Sequence, residues 1–208
     1  MKFSLVLAAG LAAATVAHAA PQTLTTTLSG AAESPANASP GTGIGKVIFD
    51  SAAHSLIVSE TFSGLSSPTT ASHIHCCTTL PGVGNAGVAT MTPTFSGFPT
   101  GVTSGTFSQT FDTTLASTYN PAFVSLFAGS LSAAESALFA GLQLGETYLN
   151  IHTTAFGGGE IRGFLVLAPV PEPETFALML AGLGALGLAR RRAAGVLTKA
   201  KARGASAA

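Results

Sequence analysis

Gly145-Glu-Thr-Tyr148-Leu-Asn150-Ile151-His152-Thr153 is followed, three residues later, by Gly157-Gly158-Gly159-Glu160-Ile161-Arg162-Gly163. In the first stretch Leu149 and Ile151 alternate with Tyr148, Asn150 and His152, the period of a strand with one apolar and one polar face. In the second, a run of glycines lets the backbone bend before another strand begins at Glu160. The glycines do not form a phosphate loop, because no Lys-Ser/Thr follows and no helix starts there.

Working outward, short alternating runs bounded by Gly, Pro, Ser or Asn recur along residues 20–170. They predict strands at Gln22–Ser29, Gly45–Asp50, Ser55–Phe62, Ala71–Cys76, Gly105–Phe111, Tyr148–Thr153 and Glu160–Leu167. Asp50 to His54 is the expected hairpin connection between two of them. Asn120-Pro121 predicts a helix start, with Pro at the first helical position. Ser132-Ala-Ala-Glu135 has the pattern of a capping box, so a short helix or helical pair is expected over 121–142, ending before Gly145. The Gly- and Pro-rich stretch 78–104 is expected to be mostly a long surface loop, with one edge strand around Gly87–Met91. The fold class expected is all-β: an antiparallel β-sandwich-like domain of immunoglobulin or superoxide-dismutase type with a short helical insertion.

Two further motifs join the two opening stretches: Leu28-Ser29-Gly30-Ala-Ala-Glu33, which opens the domain, and His73-Ile74-His75 in its middle. Over roughly residues 23–167 this order resembles the CHRD domain, named for chordin and widespread in exported bacterial proteins. The resemblance implies a β-sandwich-like domain of secreted proteins and implies no particular biochemical activity. The chain departs from the family after His75, where Cys76-Cys77 stands in place of Gly-Pro-like residues.

His73 and His75, two apart on a strand, share a face about 6.5–7 Å apart. His152 lies on another strand, so three imidazoles converge if those strands are neighbours. Imidazole nitrogen suits zinc or copper, and a three-His set leaves room for water or a carboxylate such as Glu160. The other reading is structural: strand histidines that bond to backbone carbonyls and hold the following loop. A His-x-His strand is loosely similar to copper–zinc superoxide dismutase, but no matching fourth histidine or second metal site is present. Cys76 and Cys77 are the only cysteines. Adjacent Cα atoms lie about 3.8 Å apart across a trans peptide, below the usual disulfide range. A vicinal disulfide, an interchain disulfide, and reactive thiols or thiolates that join His73 and His75 at a metal all stay open. Glu160 and Arg162 share a strand face and suggest an ion pair or an Arg–backbone clamp. His54 is expected to be solvated in its turn. No catalytic motif stands out.

The two ends concern sorting. Lys2, the apolar run Phe3 to Val16 and Ala17-His18-Ala19 read as a secretory signal over 1–19. Pro171-Glu172-Pro173, then Thr175 to Ala189 without a charge, then Arg190-Arg191-Arg192 form a spacer, an apolar helix and a basic stop. This order resembles the PEP-CTERM signal of Gram-negative bacteria. The resemblance implies passage through the secretion translocon, recognition by an exosortase-type processing enzyme, and delivery to the cell surface or extracellular matrix. Fifteen helical residues rise about 22 Å, short of the ~30 Å hydrocarbon core, so this transmembrane helix is expected to anchor only transiently. The domains expected are therefore the signal at 1–19, the β domain at 20–167, the sorting segment at 168–192 and a basic, disordered tail at 193–208. Residues 20–170 carry two positive side chains against seven negative, a net charge of −5, which excludes nucleic acid as a partner. The leading expectation is a non-enzymatic surface or matrix protein with an interaction module, in contact with exopolysaccharide or matrix components. The alternative is a metal-binding (Zn or Cu) or redox module built on the His-x-His strand.

Overall fold

The computed structural model of the chain describes residues 20–169, 179–188 and 190. The expected strands form, with ends shifted by a few residues: β1 (Gln22–Ser29), β2 (Thr42–Asp50), β3 (Ser55–Ser63), β4 (Thr69–His75), β5 (Gly105–Asp112), β6 (Tyr148–Thr153), β7 (Ile161–Phe164) and β8 (Val166–Leu167). The last expected strand is thus two strands. Its break at Leu165, which is fully buried, lets β7 pair with β6 while β8 pairs with β1.

All pairings are antiparallel, in the order β4-β6-β7-β1-β2-β3-β5, with β8 beside β1. The two faces of the sandwich are the halves of this one curled sheet. Strands far apart in the order meet across the interior: the Ser72 hydroxyl of β4 donates to Glu60 of β3 at 2.8 Å. Alternation fills the space between with Leu24, Leu28, Val47, Leu56, Val58, Ile74, Leu149, Ile151 and Ile161, all at most 1% exposed. The β2–β3 hairpin turns where the Asp50 carboxylate accepts from the Ala52 and Ala53 amides.

Between β5 and β6 lie α1 (Pro121–Ser125) and α2 (Leu131–Leu144). Asn120 caps α1 by accepting from the Ala122 amide at 3.0 Å. The cap of α2 is Ser130, not the expected Ser132, and it accepts from the Ala133 amide. Glu135 is consequently not a capping-box partner. It is buried, and accepts from the Thr113 hydroxyl and pairs with His54 Nδ1 at 2.9 Å. Leu138 and Leu142 of α2 are fully buried, and Phe139 stacks on Phe49 with ring centroids 4.7 Å apart. Burial at this level contributes about 1.5–3 kcal/mol per side chain and holds the helix to the sheet.

The stretch 78–104 is a mostly exposed loop, as expected, but parts of it pack on the sheet and into the core. Residues 87–90 run beside β4, with the Cys76 amide donating to the Gly87 carbonyl and the Ala89 amide to that of Ile74. No regular strand forms there, only isolated bridges such as His75 to Val88. Phe95 and Phe98 then enter the core against Phe107, and Phe95 also meets Phe111. The glycines and prolines that signalled a loop shape a plug, because its aromatic residues have apolar space to fill between the ends of the sheet.

Residues 179–188 are helical, with Met179, Leu180, Leu183, Leu186 and Leu188 exposed. Among the described residues no helix is long and apolar enough to cross a membrane. Ten residues rise only about 15 Å, half of the ~30 Å hydrocarbon core, so the transmembrane helix expected from sequence is not found there. The expected signal peptide, Pro171-Glu172-Pro173, Arg191, Arg192 and the tail lie outside the described residues, while Arg190 is helical and exposed.

Glu60 occupies an inward position of β3 and is 2% exposed. Burial raises its pKa from 4.5 to about 8, and the Ser72 hydroxyl lowers it by less. The folded domain therefore holds a proton that the unfolded chain releases, so this group's contribution is full below pH 4.5 and falls as pH rises toward 8. The expected slope is about 1.4 kcal/mol per pH unit within that window. Urea unfolding of wild type and Glu60→Gln across pH 5–8 should show the difference between them narrowing or reversing in favour of the variant as pH rises. Parallel pH profiles would contradict the buried neutral acid.

Candidate metal centre

β4 and β6 are buried on both faces, which sets them apart from the outer strands. Their inner faces carry Ile74, Leu149 and Ile151. Their outer faces carry His73 and His75 on β4, with Tyr148, Asn150 and His152 on β6. The register places Ala71 opposite His152, His73 opposite Asn150, and His75 opposite Tyr148. Strand neighbours carry side chains about 5 Å apart, so the three imidazoles form one cluster. Ring centroids are 6.1 Å apart for His73 and His75, 5.2 Å for His73 and His152, and 5.7 Å for His75 and His152. One ring nitrogen from each lies within 4.8 Å of the other two.

Two loops cover this polar face, and each ring bonds to one of them. His73 Nε2 meets the Pro93 carbonyl at 2.8 Å, and His75 Nδ1 the Ala86 carbonyl at 2.9 Å. His152 Nδ1 meets the Gly157 carbonyl at 3.0 Å, in the glycine turn before β7. A carbonyl only accepts, so each of these nitrogens carries the proton. A neutral ring then leaves a bare lone pair on His73 Nδ1, His75 Nε2 and His152 Nε2. All three atoms are buried without a hydrogen-bond partner.

The electrostatics keep the rings neutral. Burial, then the neighbouring His152, pushes the His73 pKa down to about 4. Burial likewise takes His75 to about 4, against the bond to Ala86 and helped by His152, His73 and Arg162. His152 is lowered by burial. Neutral imidazole with a lone pair facing its neighbours is the form that ligates metal, and an N–H held by a carbonyl is the usual outer support.

The surrounding side chains frame the cluster. The His75 ring stacks on Tyr148, with centroids 4.7 Å apart, and the Arg162 guanidinium lies 4.7 Å from the centre of the same Tyr148 ring. Arg162 does not pair with Glu160. It donates to the Ala32 carbonyl and to Asn85 Oδ1, each at 2.6 Å, with Glu33 at 3.8 Å. Burial raises the Glu33 pKa to about 7, against the pull of Arg162 and the Ser34 amide. Gly159, at φ +128°, leaves room that a Cβ would take from the Asn150 amide and Glu33 Oε1.

Glu160, considered from sequence as a fourth ligand, is occupied elsewhere. One carboxylate oxygen accepts from the Ser39 hydroxyl at 2.6 Å and from the Ser66 amide and hydroxyl at 2.6 and 2.8 Å. The other accepts from Thr153 at 2.6 Å. Burial pushes its pKa up, and these donors outweigh that, leaving it below the ordinary value. Cys76 and Cys77 form a disulfide with each other. It faces α2, where a Cβ on Gly141 would come within 2.7 Å of both sulfurs, so no thiolate joins the histidines. His54 lies in its hairpin turn with Glu135.

An all-β domain with a covered three-imidazole cluster is the class these features define. The CHRD domain model matches residues 24–165, well over half of the chain, and the protein belongs to the CHRD domain family. A PEP-CTERM protein-sorting motif matches residues 169–193, which marks the chain for export and cell-surface sorting by exosortase. No curated protein and no solved structure matches the chain.

Sequence reasoning selected the three histidines but not the carbonyls of Ala86, Pro93 and Gly157, nor the roles of Asn85 and Glu33. Carbonyls leave no signature in residue type. The inward acid Glu60 did leave one, since it shares parity with Leu56, Val58 and Phe62.

Glu160→Ala removes the acceptor of four donors in three separate segments. An expected loss of about 3 kcal/mol or more in urea unfolding follows from leaving buried donors unmet. A variant as stable as wild type would show that Glu160 is not a structural hub.

Proposed function

We propose that this chain is an exported surface module whose working centre is a single transition-metal ion, zinc or copper, held by His73, His75 and His152. One observation carries the proposal: three clustered imidazoles, with one ring nitrogen of each within 4.8 Å of the other two, each keep a buried nitrogen without a hydrogen-bond partner while the other is tied to a loop carbonyl. Histidines serving only to hold the loops need those outward bonds and gain nothing from grouping three unmet acceptors. Burying each unmet acceptor costs about 1–3 kcal/mol, and a bound cation offsets that cost. On this proposal the module is non-enzymatic: it carries or presents its ion where the sorting motif delivers it, at the cell surface or in the matrix. Contact with exopolysaccharide or matrix components belongs to the same proposal.

The full chain, purified from the exported fraction without a metal-binding tag, is expected to carry about one metal ion per chain by elemental mass spectrometry. His73→Ala and His152→Ala should lose it while keeping the β-rich circular dichroism of wild type. A stably folded wild type that takes up no metal when zinc or copper is added would end the proposal.

The delivery half has its own test. Deleting residues 171–208 is expected to leave the protein off the cell surface, as read by surface labelling of intact cells. Unchanged surface labelling would remove the sorting motif from the account.

A further inference from the structure

The polar face that holds the three histidines also holds an oxygen donor without a partner. His75 pairs in register with Tyr148, His73 with Asn150, and Ala71 with His152. His75 and His152 thus start from opposite ends of a ladder with three rungs on this face, about 13 Å apart along the strands. Their ring centroids are nevertheless 5.7 Å apart. Both side chains therefore lean toward the middle rung, whose residues are His73 and Asn150. The His73 ring belongs to the cluster already, and Asn150 is its neighbour across the strands.

Asn150 is 2% exposed, and its Oδ1 is buried with no hydrogen-bond donor. The other end of the amide is accounted for: Nδ2 donates to the Gly158 carbonyl at 3.5 Å. That carbonyl only accepts, which fixes the end of the amide that is nitrogen. Gly159 makes room for the group, since a Cβ there would come within 2.4 Å of both Oδ1 and Nδ2. An asparagine serving only to hold the glycine turn needs Nδ2 alone and leaves a buried acceptor unmet. A carboxamide oxygen with free lone pairs is a metal donor, as are the imidazoles beside it.

Other side chains near the cluster are committed or stand further off. The Tyr148 hydroxyl bonds to the Ala86 amide and carbonyl. Glu160 spends both oxygens on Ser39, Ser66 and Thr153, and Cys76 and Cys77 are bonded to each other against α2. Glu33 Oε1 is also buried and unpartnered. It lies across the Gly159 gap from Asn150, 2.7 Å from the point that such a Cβ would take, and Arg162 Nε is 3.8 Å from its other oxygen. Glu33 is not among the groups whose donor atoms come together within 4.8 Å, so it stands behind the amide.

We infer that the metal site is a mixed nitrogen–oxygen site, in which the Asn150 side-chain oxygen binds the ion beside His73, His75 and His152. The inference rests on the metal-site reading above and adds a ligand to it.

The test uses the full exported chain, freed of metal and titrated with zinc sulfate against a chromogenic chelator. Asn150→Leu is expected to weaken zinc binding by about 10–100-fold or more. Asn150→Asp should bind at least as tightly as wild type, because its carboxylate offers an oxygen at the same place. An Asn150 that acts only through its N–H on Gly158 predicts otherwise: aspartate loses that donor as leucine does, and both variants bind alike. A second measurement needs no variant. In carbon-13 NMR of wild type, zinc should shift the side-chain carbonyl of Asn150 by more than those of Asn37, Asn85 and Asn120. Variants that bind alike, or an unmoved Asn150 signal in zinc-loaded protein, overturn the inference and leave the metal site standing. Zinc lost in Glu33→Gln but kept in Asn150→Leu moves the oxygen donor to Glu33 and overturns it equally. A folded wild type that binds neither zinc nor copper overturns the metal site as well.

Discussion

An imidazole that gives its one N–H to a loop carbonyl has only a lone pair left on its other nitrogen. That constraint acts three times on the outer face of β4 and β6, through Pro93, Ala86 and Gly157. It orients each ring, fixes its tautomer and binds the covering loops to the sheet. The segment from Ala86 to Phe98 and the glycine turn at 157–159 thus do two things at once. They bury the polar face, and they decide which nitrogen of each histidine is bare. Remove the loop carbonyls and the rings are free to flip, so the cluster loses both its geometry and its chemistry.

A second layer holds the loops. Glu160 sits at the start of β7 and gathers donors from residues 39, 66 and 153. Its carboxylate needs all of them, because a buried charge without partners is costly. Arg162, on the same strand face, reaches the other way, to Ala32 and Asn85. The two residues that looked like an ion pair instead clamp separate segments around the same short strand. On the inner side of the sheet, the disulfide of Cys76 and Cys77 rests on Gly141, so the end of β4 and helix α2 meet directly behind the histidines. The site is supported from both faces, which is why β4 and β6 carry almost no exposed residues.

The sequence made most of the scaffold legible, because alternation between turn residues is a local signal. β1, β3, β5 and β6 were visible with ends within about two residues, and Asn120-Pro121 marked the start of α1. Long-range choices were less visible. The Gly- and Pro-rich stretch 78–104 reads as a loop by composition, yet Phe95 and Phe98 turn it into a plug, and nothing local says that core space awaits them. Ser132 and Glu135 match a capping box, but the pull of His54 and Thr113 on Glu135, both distant in sequence, moves the cap to Ser130. The histidine spacing on β4 was readable from strand geometry. The adjacency of β6 was not, since strand order depends on the whole curl of the sheet. The sulfurs could be placed only once the partner surface of β4 was known.

The most direct measurement is nitrogen-15 NMR of the histidine rings in metal-free protein at neutral pH. Long-range proton–nitrogen correlations report, ring by ring, which nitrogen is protonated. The expected pattern is a neutral His73 protonated at Nε2, with neutral His75 and His152 protonated at Nδ1, leaving three bare nitrogens turned toward one another. Charged rings, or His75 and His152 protonated at Nε2, would contradict a pre-formed metal site.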